Sequence, residues 1–210
     1  MFDLKILLSY TAASLLLVIA PGPGQMLVLA RSLGGGRAVG VATALGLGVG
    51  SLVHTLAAAF GLSQLLVHSA SLYAVVQYLG AAYLVFLGVK ALRARPELST
   101  SQVVRPGPGV RSAVTRGTVT GILNPKVALF FLAFLPQFVR PERSHVLLQF
   151  LVLGLLFTVL AVLGDSMVAL AAGRLSHALR RHPAWATWRE RVVGTVLLGL
   201  GLRLAFAPRT

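Results

Sequence analysis

Residues 38–89 contain no Asp, Glu, Lys or Arg, a run of 52 positions free of charge apart from His54 and His68. That is too long for one helix and about right for two antiparallel helices in a bilayer, each needing ~20 apolar residues. The turn between them is expected near Gly61, Leu62, Ser63 and Gln64. Residues 6–30 are equally free of charge, residues 117–139 carry only Lys126, and residues 144–173 carry only Asp165. These stretches read as spans one, four and five, with spans two and three inside residues 38–89. A sixth is expected around residues 192–202, with Trp185 and Trp188 at the interface and Arg203 snorkelling outward. Six spans use ~120 of the 210 residues. The fold class that follows is an all-α membrane protein of six transmembrane helices.

Composition excludes several alternatives. Charged residues are 11% of the chain, against ~25% in an ordinary soluble domain. The absence of cysteine rules out a disulfide scaffold, a thiol nucleophile and thiolate metal ligation. The N-terminal apolar run is longer than a signal-peptide core and ends in Ala20, Pro21, Gly22 and Pro23 without a cleavage pattern. Span one is therefore expected to be retained.

Net charge is +14, which raises the question of nucleic acid. The basic residues, however, recur in connections between spans, where topology and anionic lipid already account for them, and no nucleic-acid partner is expected. Thirteen of the nineteen Lys and Arg fall after spans one, three and five, five fall on the opposite side, and Lys126 lies within a span. The positive-inside rule places the thirteen in the cytoplasm and both termini outside.

Residues 93–112, basic and rich in Pro and Gly, divide the chain into halves, residues 1–92 and 113–210. Each half holds three spans, an odd number, so halves sharing a fold must be inverted repeats. The first helix of each is interrupted at proline: Pro21, Gly22, Pro23 and Gly24 in one, Asn124 and Pro125 in the other. Leu87-Gly88 in span three is echoed by Leu200-Gly201 in span six. Paired interruptions point to a binding site, because unwound backbone at membrane depth must line a cavity or be buried in protein.

At 1.5 Å per residue, Pro23, Pro125, Lys126 and Asp165 all lie ~12–15 Å from the nearest cytoplasmic arginine of their span, near the midplane of a ~30 Å core. A charge at that depth costs at least ~2.5–3.5 kcal/mol, so Lys126 and Asp165 are expected to face each other or a substrate. His54 lies farther out in span two. The unwound first helix offers free carbonyls and a half-helix N-terminus suited to a carboxylate. Gly40, Gly46, Gly50, Gly61, Gly80, Gly88, Gly117 and Gly121 read as close helix contacts.

These motifs carry a resemblance. Ala20-Pro21-Gly22-Pro23, Asn124-Pro125-Lys126, the aromatic stretch from Phe130 to Phe138, Gly80-Ala81-Ala82-Tyr83-Leu84 and Leu87-Gly88 together resemble the LysE/RhtB family of bacterial amino-acid exporters, the threonine, homoserine and lysine efflux translocators. The resemblance implies export of small amino acids across the inner membrane, driven by the proton gradient and without a cofactor. By position, Pro21, Gly22 and Pro23 match the family's first motif and Asn124, Pro125 and Lys126 its second; His54 stands where some members also have histidine. Many relatives place an acidic residue a turn earlier than Asp165, where this chain has Ala161.

The expected mechanism is alternating access around a site made by Pro21, Gly22, Pro23, Gly24, Asn124, Pro125, Lys126 and Asp165, with proton return through Asp165 and His54. Expected partners are a small amino acid, protons and the lipid bilayer, with a homodimer through the glycine faces as a further arrangement. Three other readings use the same residues. An exporter of another small solute or metal cation is one, the latter disfavoured by zero cysteines and one buried carboxylate. An intramembrane hydrolase built on Ser51, His54 and Asp165 is another, lacking a Gly-x-Ser-x-Gly elbow. A purely structural membrane protein is the third.

Overall fold

A computed structural model describes residues 2–20, 22–63, 70–93, 109–143, 145–181 and 183–206. Eight α-helices lie among them: α1 (Leu4–Ile19), α2 (Pro23–Gly35), α3 (Arg37–Ala57), α4 (Ala70–Arg93), α5 (Val110–Ile122), α6 (Pro125–Leu129), α7 (Val146–Arg181) and α8 (Pro183–Ala205). A π-helical turn, Ala58–Leu62, extends α3, and another, Phe130–Phe134, extends α6 before the 3-10 turn Leu135–Phe138. No strand occurs among the described residues. Pro21 and most of the loop expected at 93–112 lie outside the described residues, as do the side chains of Trp185 and Arg203.

Residues 37–62 and 146–174 are each long and apolar enough to cross a membrane. The number rises to four if each of two bent pairs is one span, α1 with α2 at 54° and α5 with the segment Pro125–Phe138 at 46°. Both bends fall at the expected proline interruptions. The helix expected to end near Gly173 instead runs on to Arg181, because nothing between Arg174 and Arg181 breaks it; Pro183 does. Span four likewise begins earlier than its apolar stretch, at Val110.

Between α2 and α3 the chain reverses through Gly36 alone, at φ 86° and ψ 172°, a region that only glycine enters without strain. The reversal lays α2 against α3, and both pack on α7. α3 crosses α5 closely: a Cβ on Gly50 would sit 2.7 Å from the Gly121 Cα, and one on Gly121 2.9 Å from the Leu47 carbonyl. α4 pairs with α8. There a Cβ on Gly88 would meet the Gly194 carbonyl at 2.8 Å and the Leu198 N at 2.8 Å, and one on Gly201 would meet the Ala81 carbonyl at 3.0 Å and the Val85 N at 2.9 Å. The two sets exchange when Gly88 is swapped for Gly201, Ala81 for Gly194 and Val85 for Leu198. Gly61 departs from its expected packing role, with open space where a side chain would stand.

The largest core joins Tyr10, Phe130, Phe131, Phe134, Phe138, Phe150 and Phe157. Phe130 and Phe157 stack at 4.7 Å between ring centroids. The Tyr10 hydroxyl donates to the Leu153 carbonyl at 2.9 Å, tying α1 to α7. On the same end of the bundle the Arg143 guanidinium donates to the Asp3 carboxylate at 2.8 Å. That hydrogen bond holds the exposed Asp3 carboxyl below its ordinary pKa. A smaller core of Val28, Ala44, Leu47 and Ala169 closes the other side.

Candidate functional site: a cavity between two broken helices

Each break follows from one property of proline. Pro at the first helical position loses nothing, since that N–H has no intrahelical partner. It does deprive the carbonyl four residues earlier of its donor. Pro23 opens α2 and Pro125 opens α6 in this way. The preceding residues, Gly22 and Asn124, are both extended.

At the end of α1 the consequence falls on the carbonyls of residues 17–20. Pro21 has no N–H to offer Leu17, Pro23 has none for Ile19, and the bend takes Val18 and Ala20 out of the ladder. The Lys126 ammonium donates to the Leu17 carbonyl at 3.0 Å and to the Ala20 carbonyl at 2.7 Å. Gln25 Nε2 donates to the Val18 carbonyl at 3.1 Å, and Ile19 is exposed. The cation thus sits at the negative end of the α1 dipole. Gly22 makes room for it, since a Cβ there would lie 3.1 Å from the ammonium.

The second break is held differently. Asn124 is buried and its side-chain oxygen accepts from the Lys126 N–H at 3.1 Å, an N-cap that fixes the lysine's starting point. The Gly121 carbonyl, deprived of its donor by Pro125, is met by His54 Nε2 at 3.3 Å and by the Asn124 N–H at 3.2 Å. His54 also lies 6.0 Å from the Phe131 ring.

Between the breaks lies a cavity with about 40 Å³ of space for water-molecule centres, enough for a few waters. Its polar lining is Gln25, Ser51, Asn124, Lys126 and Asp165, and Leu17, Val18, Leu47, Val127, Phe157 and Ala161 form an apolar wall. Lys126 and Asp165 line the same cavity. Ala161 and Asp165, one turn apart on α7, face the same space.

Of the residues singled out from the sequence, Gly24, Asn124, Lys126 and Asp165 line this cavity, and Gly22 backs the lysine side chain. Pro23 and Pro125 are exposed on the outer surface of their helices and act through the backbone. Pro21 is outside the described residues. His54 lies off the lining, bound to the second break. Gln25 was not foreseen, and the free carbonyls expected at the first break are those of Leu17 and Ala20. A polar side chain next to a double-proline break was the available signal for Gln25.

The profile of the family described as LysE type translocator matches residues 15–207. An uncharacterized membrane protein of Pseudomonas aeruginosa, PA4757, is 33% identical over 205 residues, covering 95% of this chain and 94% of its own. An uncharacterized membrane protein of Vibrio cholerae is 32% identical over 209 residues, 98% of each chain. The leucine efflux protein of Salmonella typhimurium is 27% identical over 201 residues, 94% of this chain and 93% of its own. No solved structure matches.

Proposed function

Because the chain belongs to the LysE type translocator family, we propose that it exports a small neutral amino acid from the cytoplasm across the bacterial inner membrane by proton antiport. The observation that carries this reading is the lysine ammonium held on proline-freed carbonyls, in a cavity that a half-buried carboxylate also lines and that has an apolar wall. The polar pole suits the backbone of a zwitterion, and the wall suits an aliphatic side chain. The relatives named leucine efflux protein make leucine the first candidate.

In this mechanism Gly22, Gly24, Asn124, Lys126 and Asp165 form the site, with Pro21, Pro23 and Pro125 creating its irregular backbone. The substrate carboxylate approaches Lys126 or the N-terminal end of α2, and its ammonium takes freed carbonyls or Asp165. Asp165 returns the proton, with His54 as relay. The present cavity admits waters and is too small for an amino acid, so loading requires the halves to move apart, as alternating access demands.

Six spans arranged as two inverted repeats complete the proposal, with α4 and α8 as spans three and six and both termini periplasmic. The exchange of contacts between α4 and α8 supports the two-fold relation, and the Asp3–Arg143 pair supports a common side for the N-terminus and the connection between spans four and five. Of the eight glycines read as helix contacts, all but Gly61 pack within the chain. Among the described residues no group of three or more His, Asp or Glu gathers.

The test is efflux from cells loaded with amino acids by dipeptide feeding. Threonine, homoserine, leucine and lysine are compared, with and without a protonophore. The reading expects faster export of at least one neutral substrate, abolished by the protonophore and by Lys126→Ala. Inserted protein that changes the efflux of none overturns it.

A further inference from the structure

We infer that the Lys126 ammonium is a tethered occupant of the substrate's own amine site, displaced when a zwitterion loads. This rests on the exporter reading and adds to it a rule for which molecules are accepted. The Leu17 and Ala20 carbonyls hold a primary ammonium at 3.0 and 2.7 Å, ordinary lengths for charge-assisted N–H donation. A lysine side chain ends in the same group that an α-amino acid carries on its α-carbon. The chain therefore already displays, with its own side chain, how this backbone holds such a cation.

Displacement has a condition. Lys126 lies at the midplane depth of its span, where an uncompensated ammonium is costly, so it leaves its carbonyls only for another anionic or carbonyl partner. A zwitterion supplies both halves of the exchange. Its ammonium takes the Leu17 and Ala20 carbonyls, and its carboxylate receives the Lys126 ammonium. Hydrogen bonds given up by one cation are taken by another, and the net charge of the site does not change. An amine without a carboxylate adds a second cation to a cavity in which Asp165 is the one lining carboxylate, a charge left uncompensated at this depth, and an N-acylated amino acid offers the carbonyls no cation. Both are refused, and Lys126 is thus a specificity-determining residue for free α-amino acids.

Removal of the tethered ammonium should invert this preference. In Lys126→Ala the carbonyls are vacant and no lysine remains to pair with a carboxylate. Purified protein in detergent is tested by thermal melting with leucine, with 3-methylbutylamine, which is leucine without its carboxylate, and with tetramethylammonium, which has no N–H to donate. The wild type is expected to be stabilised by its exported amino acid and by neither amine. Lys126→Ala is expected to be stabilised by about 3 °C by 3-methylbutylamine, and by neither leucine nor tetramethylammonium. A response of the alanine variant to neither amine, or to both equally, overturns the inference while wild-type efflux leaves the exporter reading standing. Absence of efflux from the wild type removes that reading whatever the variant binds. Lys126→Arg keeps the charge and covers the case in which the alanine variant does not insert. Its guanidinium holds the carbonyls through more donors, so KM for the exported amino acid should rise at least fivefold with little change in maximal rate. An unaltered KM overturns the inference.

Discussion

Lys126 donates to the carbonyl of Leu17, 109 residues earlier, and Leu17 is the residue whose helical donor is lost at Pro21. One proline at the end of α1 therefore creates the acceptor that a lysine on α6 satisfies. The contact joins the two broken helices at the breaks themselves, so a shift of one against the other must act on it directly.

The first prediction follows from that contact. Lys126→Met keeps the length of the side chain and removes its donors, leaving the Leu17 and Ala20 carbonyls without their cation. Unsatisfied buried acceptors cost ~1–3 kcal/mol, so the variant should lose about 2 kcal/mol of stability in denaturant unfolding and at least tenfold in efflux. Full stability would mean that solvent already reaches these carbonyls.

Steric closeness gives a second prediction with its own control. A Cβ at Gly50 would press within 2.7 Å of the Gly121 backbone, whereas one at Gly61 meets nothing within 4 Å. Gly50→Val should cost ~1–3 kcal/mol through overpacking. Gly61→Ala should be neutral or stabilising by up to ~1 kcal/mol, the usual gain of alanine over glycine in a helix. Melting temperatures of the two variants decide it.

Much of this was readable beforehand, and the unreadable part has a physical boundary. Lys126 and Asp165 stand out because a charge in an apolar run must have a partner, and the breaks stand out because proline withholds an N–H. Which carbonyls receive the lysine depends on how span one lies against span four, and no periodicity encodes that. His54 likewise read as a relay candidate from its place in an apolar helix; its position on the Gly121 carbonyl comes from the close crossing of α3 and α5. Gly61 shows the reverse limit. It is indistinguishable in sequence from the glycines around it, and only the packing reveals that it touches nothing. The overrun of α7 to Arg181 was hidden because hydropathy marks where a span leaves the apolar layer and not where the helix ends.

The ion pair between Asp3 and Arg143 yields a pH prediction. Arg143 depresses the Asp3 pKa, so the pair's contribution is fully present above the ordinary carboxylate value near 3.8 and is lost as pH falls through the lowered one. No change is expected between pH 5 and 8. Both side chains are well exposed, so the effect is small and screened by salt. The melting temperature of Asp3→Asn should fall slightly below wild type at pH 7 in low salt and match it in 1 M salt or once the pH has fallen through the lowered carboxyl value. A deficit that persists in high salt would point to packing in place of charge.

Asp165 and Ala161 give the last prediction, which separates proton coupling from binding. If Asp165 carries the proton, Asp165→Asn should lose net efflux driven by a pH gradient, by at least tenfold, while retaining exchange of labelled for unlabelled substrate across vesicles, which needs no proton return. Loss of both activities would place Asp165 in binding alone, and retention of both would remove it from the mechanism. Because Ala161 faces the same cavity one turn away, the carboxylate can be moved without leaving the site. Asp165→Asn combined with Ala161→Asp should recover part of the gradient-driven efflux, since a proton carrier needs access to the cavity more than one fixed backbone position. Recovery of exchange without recovery of efflux would show that the proton path is specific to residue 165.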